Sequence, residues 1–298
     1  MLISPWRSIM FFLQSLLSGI LTGGVYALAG IGMSLVFGVM NISNFAHGDL
    51  MMLGMYMAYF AFTLLHIDPY LSLVLIIPTA FLFGFVLEKV FIHRIISHPH
   101  QNQILLTIGL GLIMSNSALL GFTSDPKILT TSYSSSAVHI AGGISLSVPL
   151  LLSFVITCGI TGVLFLFLSK TTTGLALWAT SQNREAAQLM GINVAKMSAL
   201  AFGLGTALAA TAGALIAPTY YIHPMAGHTF LLKAFTICVL GGLGSVVGAG
   251  VGGVIIGVVE SMSSTYLSSD WKDVVVFIIF LMVLLFRPQG LFGKKGEQ

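Results

Sequence analysis

Lys233–Glu260 reads KAFTICVLGGLGSVVGAGVGGVIIGVVE, an apolar run of 28 residues. A membrane-spanning helix needs roughly 20 predominantly apolar residues, so this run is too long for one span and too short for two. The cluster LGGLGS, Leu240–Ser245, cuts it. A turn at Gly241, Gly242, Gly244 and Ser245, giving a broken or re-entrant helix pair, satisfies both constraints. Downstream, Gly244, Gly248 and Gly252, then Gly253 and Gly257, repeat a small-xxx-small spacing that lets two helices approach closely.

The chain around this run is membrane-like throughout. Of its 298 residues 56% are hydrophobic and 7% charged, with a mean hydropathy of +1.00. Soluble domains carry about 25% charged residues, so the deficit places the chain in lipid. Transmembrane strands would show alternating segments of about 10 residues, and none is present. The expected fold is an all-α polytopic membrane protein of about eight helices, a single membrane domain over residues 1–298. Expected spans are Ile9–Met40, Leu50–Leu65, Tyr70–Val90, Ile104–Phe122, Ser145–Ser169, Ser198–Ala217, Lys233–Glu260 and Asp273–Phe286. Between them lie loops at Glu88–Gln103, Thr123–Gly143, Thr219–Leu232 and Ser261–Lys272. In the third, Tyr220 and Tyr221 suit an interface. Arg7 before Ile9–Leu21 and Ala27-Leu28-Ala29 imitate a signal peptide, but the apolar pattern continues through Val39, so the segment reads as a retained anchor.

Ile9–Met40 poses the same length problem as Lys233–Glu260, because Gly19, Gly23 and Gly24 cut it. It reads as one long tilted helix or as two short segments. Two interrupted segments in corresponding halves point to inverted repeats with a pathway at their interface.

Charge sets the orientation. Arg7, Lys89, Arg94, Lys170, Arg184, Lys196, Arg287, Lys294 and Lys295 fall on one side, against Lys127, Lys233 and Lys272 on the other. The positive-inside rule makes the first side cytoplasmic. That side carries the longest polar interruption, Lys170–Met197. Within it Asn183 suits an N-cap, Glu185 the first helical turn, and Gly191 a C-terminal stop. Alanines 186 and 187 favour helix, so a two-turn helix is expected over Arg184–Met190. Leu189 and Met190 give it an apolar face. It suits either docking of another protein or an interfacial helix anchored by Trp178.

A second polar cluster, Asn41–Asp49 (NISNFAHGD), lies between two apolar runs. Asn41, Asn44, Phe45, His47 and Gly48 suit a pathway lining or gate. They equally suit a helix start capped by Asn41 or Asn44 and favoured by Asp49. Glu260 reads as interfacial rather than as a proton carrier. Cys158 and Cys238 read as small packing residues. No histidine pair has metal-ligand spacing.

The block Glu185-Ala186-Ala187, three residues, Gly191 resembles the EAA signature of ABC-importer permeases. Asn44–Gly48, the run KAFTICVLGGLGSVVGA from Lys233, SSTYLSSDWKDVV from Ser263 and RPQGLFG from Arg287 are similar to the branched-chain amino acid ABC permeases. The resemblance covers nearly the whole chain. It implies an inner-membrane importer subunit working with a second, homologous permease, two cytoplasmic ATPases and an extracytoplasmic solute-binding protein. It also implies that 170–197 is the ATPase-coupling loop, with Gly174, Arg184, Glu185, Ala186, Ala187 and Gly191 in it. Family members commonly carry arginines after the first glycine of this loop, where this chain has Leu175 and Trp178. Arg184 is the candidate substitute charge.

No phosphate-binding G-x-x-x-x-G-K-[ST] motif is present, so no cofactor is expected here and ATP with Mg belongs to the partner ATPase. Nothing suggests a nucleic-acid partner. Branched-chain, other amino-acid, amide and urea substrates stay open. A secondary transporter or channel is the more distant reading, disfavoured because the spans carry few ionisable residues. An intramembrane enzyme would need a nucleophile–base or metal constellation. His47 and Asp49, two apart, would diverge on a helix.

Overall fold

A computed structural model describes residues 5–96, 98–140 and 144–293, and among these the chain is almost entirely helical. The elements in chain order are α1 (Pro5–Met40), α2 (His47–Leu65), α3 (Leu73–Leu87), α4 (His100–Phe122), β1 (Ala137–Ile140), β2 (Ile144–Ser147) and α5 (Val148–Lys170). Then come α6 (Thr172–Gln182), α7 (Arg184–Leu189), α8 (Val194–Ile216), α9 (Ala226–Gly241), α10 (Val246–Tyr266) and α11 (Lys272–Phe286). Among the described residues seven stretches are long and apolar enough to cross a membrane, and α9 is a shorter apolar helix of 16 residues. Lys294 and Lys295 of the charge count, and Gly143 of the expected loop, lie outside the described residues.

The break at Gly241–Ser245 is present: α9 stops at Gly241 and α10 starts at Val246. Gly242 and Gly244 turn the chain with φ of +102° and +81°, which side chains resist. Ser245 then caps α10, its Oγ accepting from the Gly248 amide at 3.1 Å.

Ile9–Met40, by contrast, is one helix. Gly19 and Gly23 do not break it. They are notches into which α10 fits, since a Cβ on Gly23 would stand 2.8 Å from the Val254 Cα. At 1.5 Å per residue, 36 residues extend about 54 Å, so α1 outruns the roughly 30 Å hydrocarbon core and must tilt or protrude.

An unbroken α1 corrects the charge map. Its C-terminal Met40 is tied to Arg184 (3.1 Å), on the face that carries α6 and α7, hereafter the basic face. Its first turn, with residue 7, therefore lies on the opposite face, and Arg7 leaves the cytoplasmic set. Lys89, Arg94, Lys170, Arg184, Lys196 and Arg287 keep that face the more basic one.

Several boundaries move. The second half of Thr219–Leu232 is helix rather than loop, because α9 begins at Ala226. Likewise α10 runs through to Tyr266 inside the expected loop Ser261–Lys272. Glu88–Ile92 continues α3 as a π-turn, and α4 starts at His100. In the Ser/Thr-rich loop, β1 pairs antiparallel with β2, Ala137 opposite Ser147, and α5 starts only at Val148. On the same face Lys127 and Ile222 exchange backbone bonds of 2.8 and 2.9 Å.

The helices pack as two related sets. α1 packs on α10 as α8 packs on α3, and α1 on α9 as α8 on α2. α9 meets α11 as α2 meets α4. α1 and α8 run in opposite senses, from and to the face opposite α7. The order and neighbours of α1–α4 thus recur in α8–α11 with inverted direction, the arrangement expected of inverted repeats. The interruption of the first repeat falls at Asn41–Ala46 rather than at the α1 glycines. The core lies where α1, α2, α8, α9 and α10 meet, with α8 buried along most of its length. By contrast α5 is largely exposed and apolar, as a lipid-facing helix is.

Candidate functional site

The basic-face arm is built by three successive side-chain caps. Thr171 Oγ1 accepts from the Gly174 amide at 2.9 Å and starts α6. Gly174 itself lies against the Phe167–Leu168 backbone at the end of α5, where a larger residue would collide. Asn183 Oδ1 accepts from the Ala186 amide at 2.9 Å and starts α7, and Asn193 Oδ1 accepts from Lys196 at 3.0 Å and starts α8. Glu185 lies in the first turn of α7, and Gly191 closes that helix at φ +82°. The expected two-turn helix is present with Met190 as its C-cap.

Its faces are unequal. Ala187 is buried, while Glu185 and Ala186 are exposed and Leu189 and Met190 stand 88% and 83% exposed. Leu175 and Trp178 on α6 add exposed apolar surface. Arg184 turns inward. Its Nη1 donates to the Met40 carbonyl (3.1 Å) and its Nη2 to Ser198 Oγ (3.4 Å), placing a cation on the C-terminus of α1. Burial pulls this guanidinium below its ordinary value, and the nearby Glu88 carboxylate opposes the fall. Arg184 is therefore spent on the fold rather than held out as a substitute charge. Beside it a cleft of about 510 Å³ is lined by His93, Ile96, Gln188 and Ile192.

The NFAHG segment lies deeper. The Asn41 amide closes the end of α1 on the Phe37 carbonyl (2.7 Å), with φ +55°. Neither asparagine caps α2: Asn44 Oδ1 accepts instead from Ala46 (3.1 Å), within the turn, and the N-cap is Ala46 with no side-chain bond. The His47 imidazole reaches the Ala29 carbonyl through Nε2 at 2.9 Å. Ala29 is well inside α1, so α2 starts at depth. Phe45 stacks on Phe235 of α9 (6.1 Å), and Gly48 fits against the Gly227 carbonyl, so the starts of α2 and α9 touch. Asp49 is buried there, one carboxylate oxygen without a partner, and diverges from His47 as the helical spacing requires.

Gly241, Gly242, Gly244 and Ser245 lie elsewhere, on the basic face. Gly244 fits against Gly38 near the end of α1, and the backbone of Leu291 and Phe292 donates to the Leu240 and Gly241 carbonyls at 2.8 and 3.1 Å. The two candidate pathway segments are thus joined through the end of α1 rather than brought into one pocket.

Sequence reasoning missed a third cluster. Glu260 is not interfacial but 7% exposed, with Lys233 Nζ 2.6 Å from its Oε1. Lys233 also reaches the Tyr26 hydroxyl (3.2 Å), which lies 3.5 Å from that of Tyr220. The signal was one lysine and one acid, each lone within an apolar run. Asp49, Lys233 and Glu260 remove the scarcity of buried ionisable groups that disfavoured a secondary transporter. Among the described residues no group of three or more His, Cys, Asp or Glu side chains is placed to hold a metal, and both cysteines are free.

Comparison with known proteins bears on nearly the whole chain. The family described as the branched-chain amino acid transport system permease component matches residues 15–284. The high-affinity branched-chain amino acid transport permease of Pseudomonas aeruginosa is 35% identical, covering 95% of this chain and 96% of its own. That of Escherichia coli is 32% identical over 96% of each. A protein of Methanocaldococcus jannaschii named as a probable branched-chain amino acid transport permease is 30% identical over 94% of this chain and 92% of its own. No solved structure matches.

Proposed function

The chain belongs to the branched-chain amino acid transport permease family, and from that premise we propose that it forms a translocation subunit of an ATP-driven importer. It is a multi-pass inner-membrane protein that moves branched-chain amino acids to the cytoplasm and performs no chemistry on them. Energy comes from two separate ATPase subunits, which bind ATP and Mg. A second, homologous permease completes the pathway, and an extracytoplasmic binding protein delivers the solute.

The observation that carries this reading is α7. A six-residue helix, capped at both ends and seated on Arg184 and Ala187, presents Glu185, Ala186, Leu189 and Met190 outward on the basic face. Exposed leucine and methionine with small alanine is a surface made for another protein. A helix held rigidly to the ends of α1 and α8 passes a push on that surface straight into the bundle. Gly174 sets the angle of α6 against α5, and Gly191 ends α7 so that α8 can start. Asn41–Gly48 and Gly241–Ser245 are the segments that yield when α1 moves. Exposed Leu175 and Trp178 on α6 make this contact apolar.

In the reconstituted transporter, Glu185→Trp or Gly191→Val is expected to leave membrane insertion intact while uptake per ATP hydrolysed falls about tenfold. Parental uptake in both variants would sink the docking role.

A further inference from the structure

The Lys233–Glu260 pair is buried, 4% and 7% exposed, and taking two charges out of water costs several kcal/mol per ion. The pair is also incomplete. Lys233 Nζ is shared among Glu260 Oε1 (2.6 Å), the Tyr26 hydroxyl (3.2 Å) and Asp273 Oδ1 (3.6 Å). Glu260 Oε2, by contrast, is buried without any hydrogen-bond partner. A carboxylate oxygen left bare at that depth is expensive unless something visits it.

The means of a visit is at hand. A cavity of about 520 Å³ lies between α1 and α10 on the face opposite α7, and both Tyr26 and Glu260 line it. Its size suits a small molecule, for which sites run about 300–1,000 Å³. Its wall is hydroxyl-rich, with Ser18 and Thr22 from α1 and Ser261 and Ser264 from α10.

We propose that this cavity receives the head group of an α-amino acid zwitterion, its carboxylate on Lys233 and the Tyr26 hydroxyl and its ammonium on Glu260 Oε2. The Lys233–Glu260 contact parts to admit it. Charge bookkeeping selects the ligand class. A zwitterion inserted into an ion pair leaves each of the four charges compensated. A simple acid leaves the buried Glu260 bare, a state that is strongly destabilising, and a simple amine leaves Lys233 with only the longer, half-exposed contact to Asp273. The pair is then both the recognition element and the closure, joined when the site is empty and parted when it is filled. Asp273, half-exposed beside Lys233, holds the lysine side chain while Glu260 turns to the ligand. The inference rests on the importer reading above and adds a place where the substrate is held within this subunit.

The test uses the complete transporter in proteoliposomes, with radiolabelled leucine supplied on a saturating binding protein. Two variants are compared with the parent for assembly, thermal midpoint and uptake. The double variant Lys233→Met with Glu260→Met removes both charges at similar volume, a change that buried pairs commonly tolerate. It is expected to assemble with an undiminished midpoint and to take up leucine at least tenfold more slowly. Uptake within twofold of the parent would mean that the pair only packs, and would overturn the proposal. Should the double variant not assemble, Glu260→Gln decides, since the amide keeps the shape and can still accept from Lys233. A fall of at least tenfold supports the zwitterion site, and parental uptake overturns it. A parent complex that takes up no leucine speaks against the importer reading itself, and is told apart because it needs no variant.

Discussion

Gly19–Gly30 in α1 and Gly241–Ser245 between α9 and α10 are about equally suspicious as sequence, yet one is continuous helix and the other a turn. The difference is what stands opposite each glycine. Along α1, Gly19 and Gly23 face the backbone of α10, with Gly257 on Gly23 and Gly253 on Ala27, while Gly24 faces Phe154 of α5 and Gly30 faces Ile237 of α9. Each missing side chain there is filled by another helix, and the hydrogen-bond ladder continues because hydrocarbon offers the backbone no other partner. At Gly242 and Gly244 the chain adopts positive φ instead, and the freed carbonyls of Leu240 and Gly241 are taken by Leu291 and Phe292. A glycine run breaks a membrane helix where a substitute donor waits, and notches it where a neighbour waits.

Substitutions can break that contrast in graded steps. Gly257→Leu should do most. Its side chain would meet the α1 backbone at Gly23, and overpacking of this kind costs about 1–3 kcal/mol, occasionally more. The expected result is a large fall in the detergent melting midpoint and in folded yield, and an unchanged midpoint would refute the notch. Gly242→Ala comes next. Forcing a side chain into φ +102° costs about 1–3 kcal/mol, and its Cβ would also meet the Gly293 backbone at 2.6 Å, so the strain falls on the turn and the terminal segment seated on it. A smaller midpoint loss is expected, together with faster amide exchange at Leu291 and Phe292. If exchange there stays slow, the two amides are not held by the turn. Gly159→Ala is the control. Nothing stands within 4 Å of that α5 position, so the better helix former should be neutral or raise the midpoint by up to about 1 kcal/mol equivalent. A clear loss would show that α5 packs against something.

The same contrast explains what was legible beforehand. Patterns local to the chain were readable: the break at Gly241–Ser245, the Asn183 cap, the Gly191 stop and the apolar spans all follow from neighbours a few residues away. What needed a distant partner was not. Lys233 and Glu260 are 27 residues apart and on different helices, so each looked like a stray charge at a span's edge. Whether Ile9–Met40 was one helix or two depended on α10, which no window of α1 contains. Arg184 was readable as a helix-start charge, but its partners Met40 and Ser198 lie on two other helices. The helix α6 was missed because Thr172–Gln182 holds a glycine and four hydroxyl residues. Only the Thr171 cap and the fit of Gly174 against α5 make it helical.

Arg287–Gly293 has a consequence for how the protein is made. It supplies the donors that finish the end of α9, so during synthesis that end waits with two bare carbonyls until everything through α11 has left the ribosome. Until then the second repeat is a set of inserted helices without its last joint. A nascent chain stalled within α11 would carry an open backbone edge on its cytoplasmic side, a mark by which a membrane protease could tell it from the finished protein.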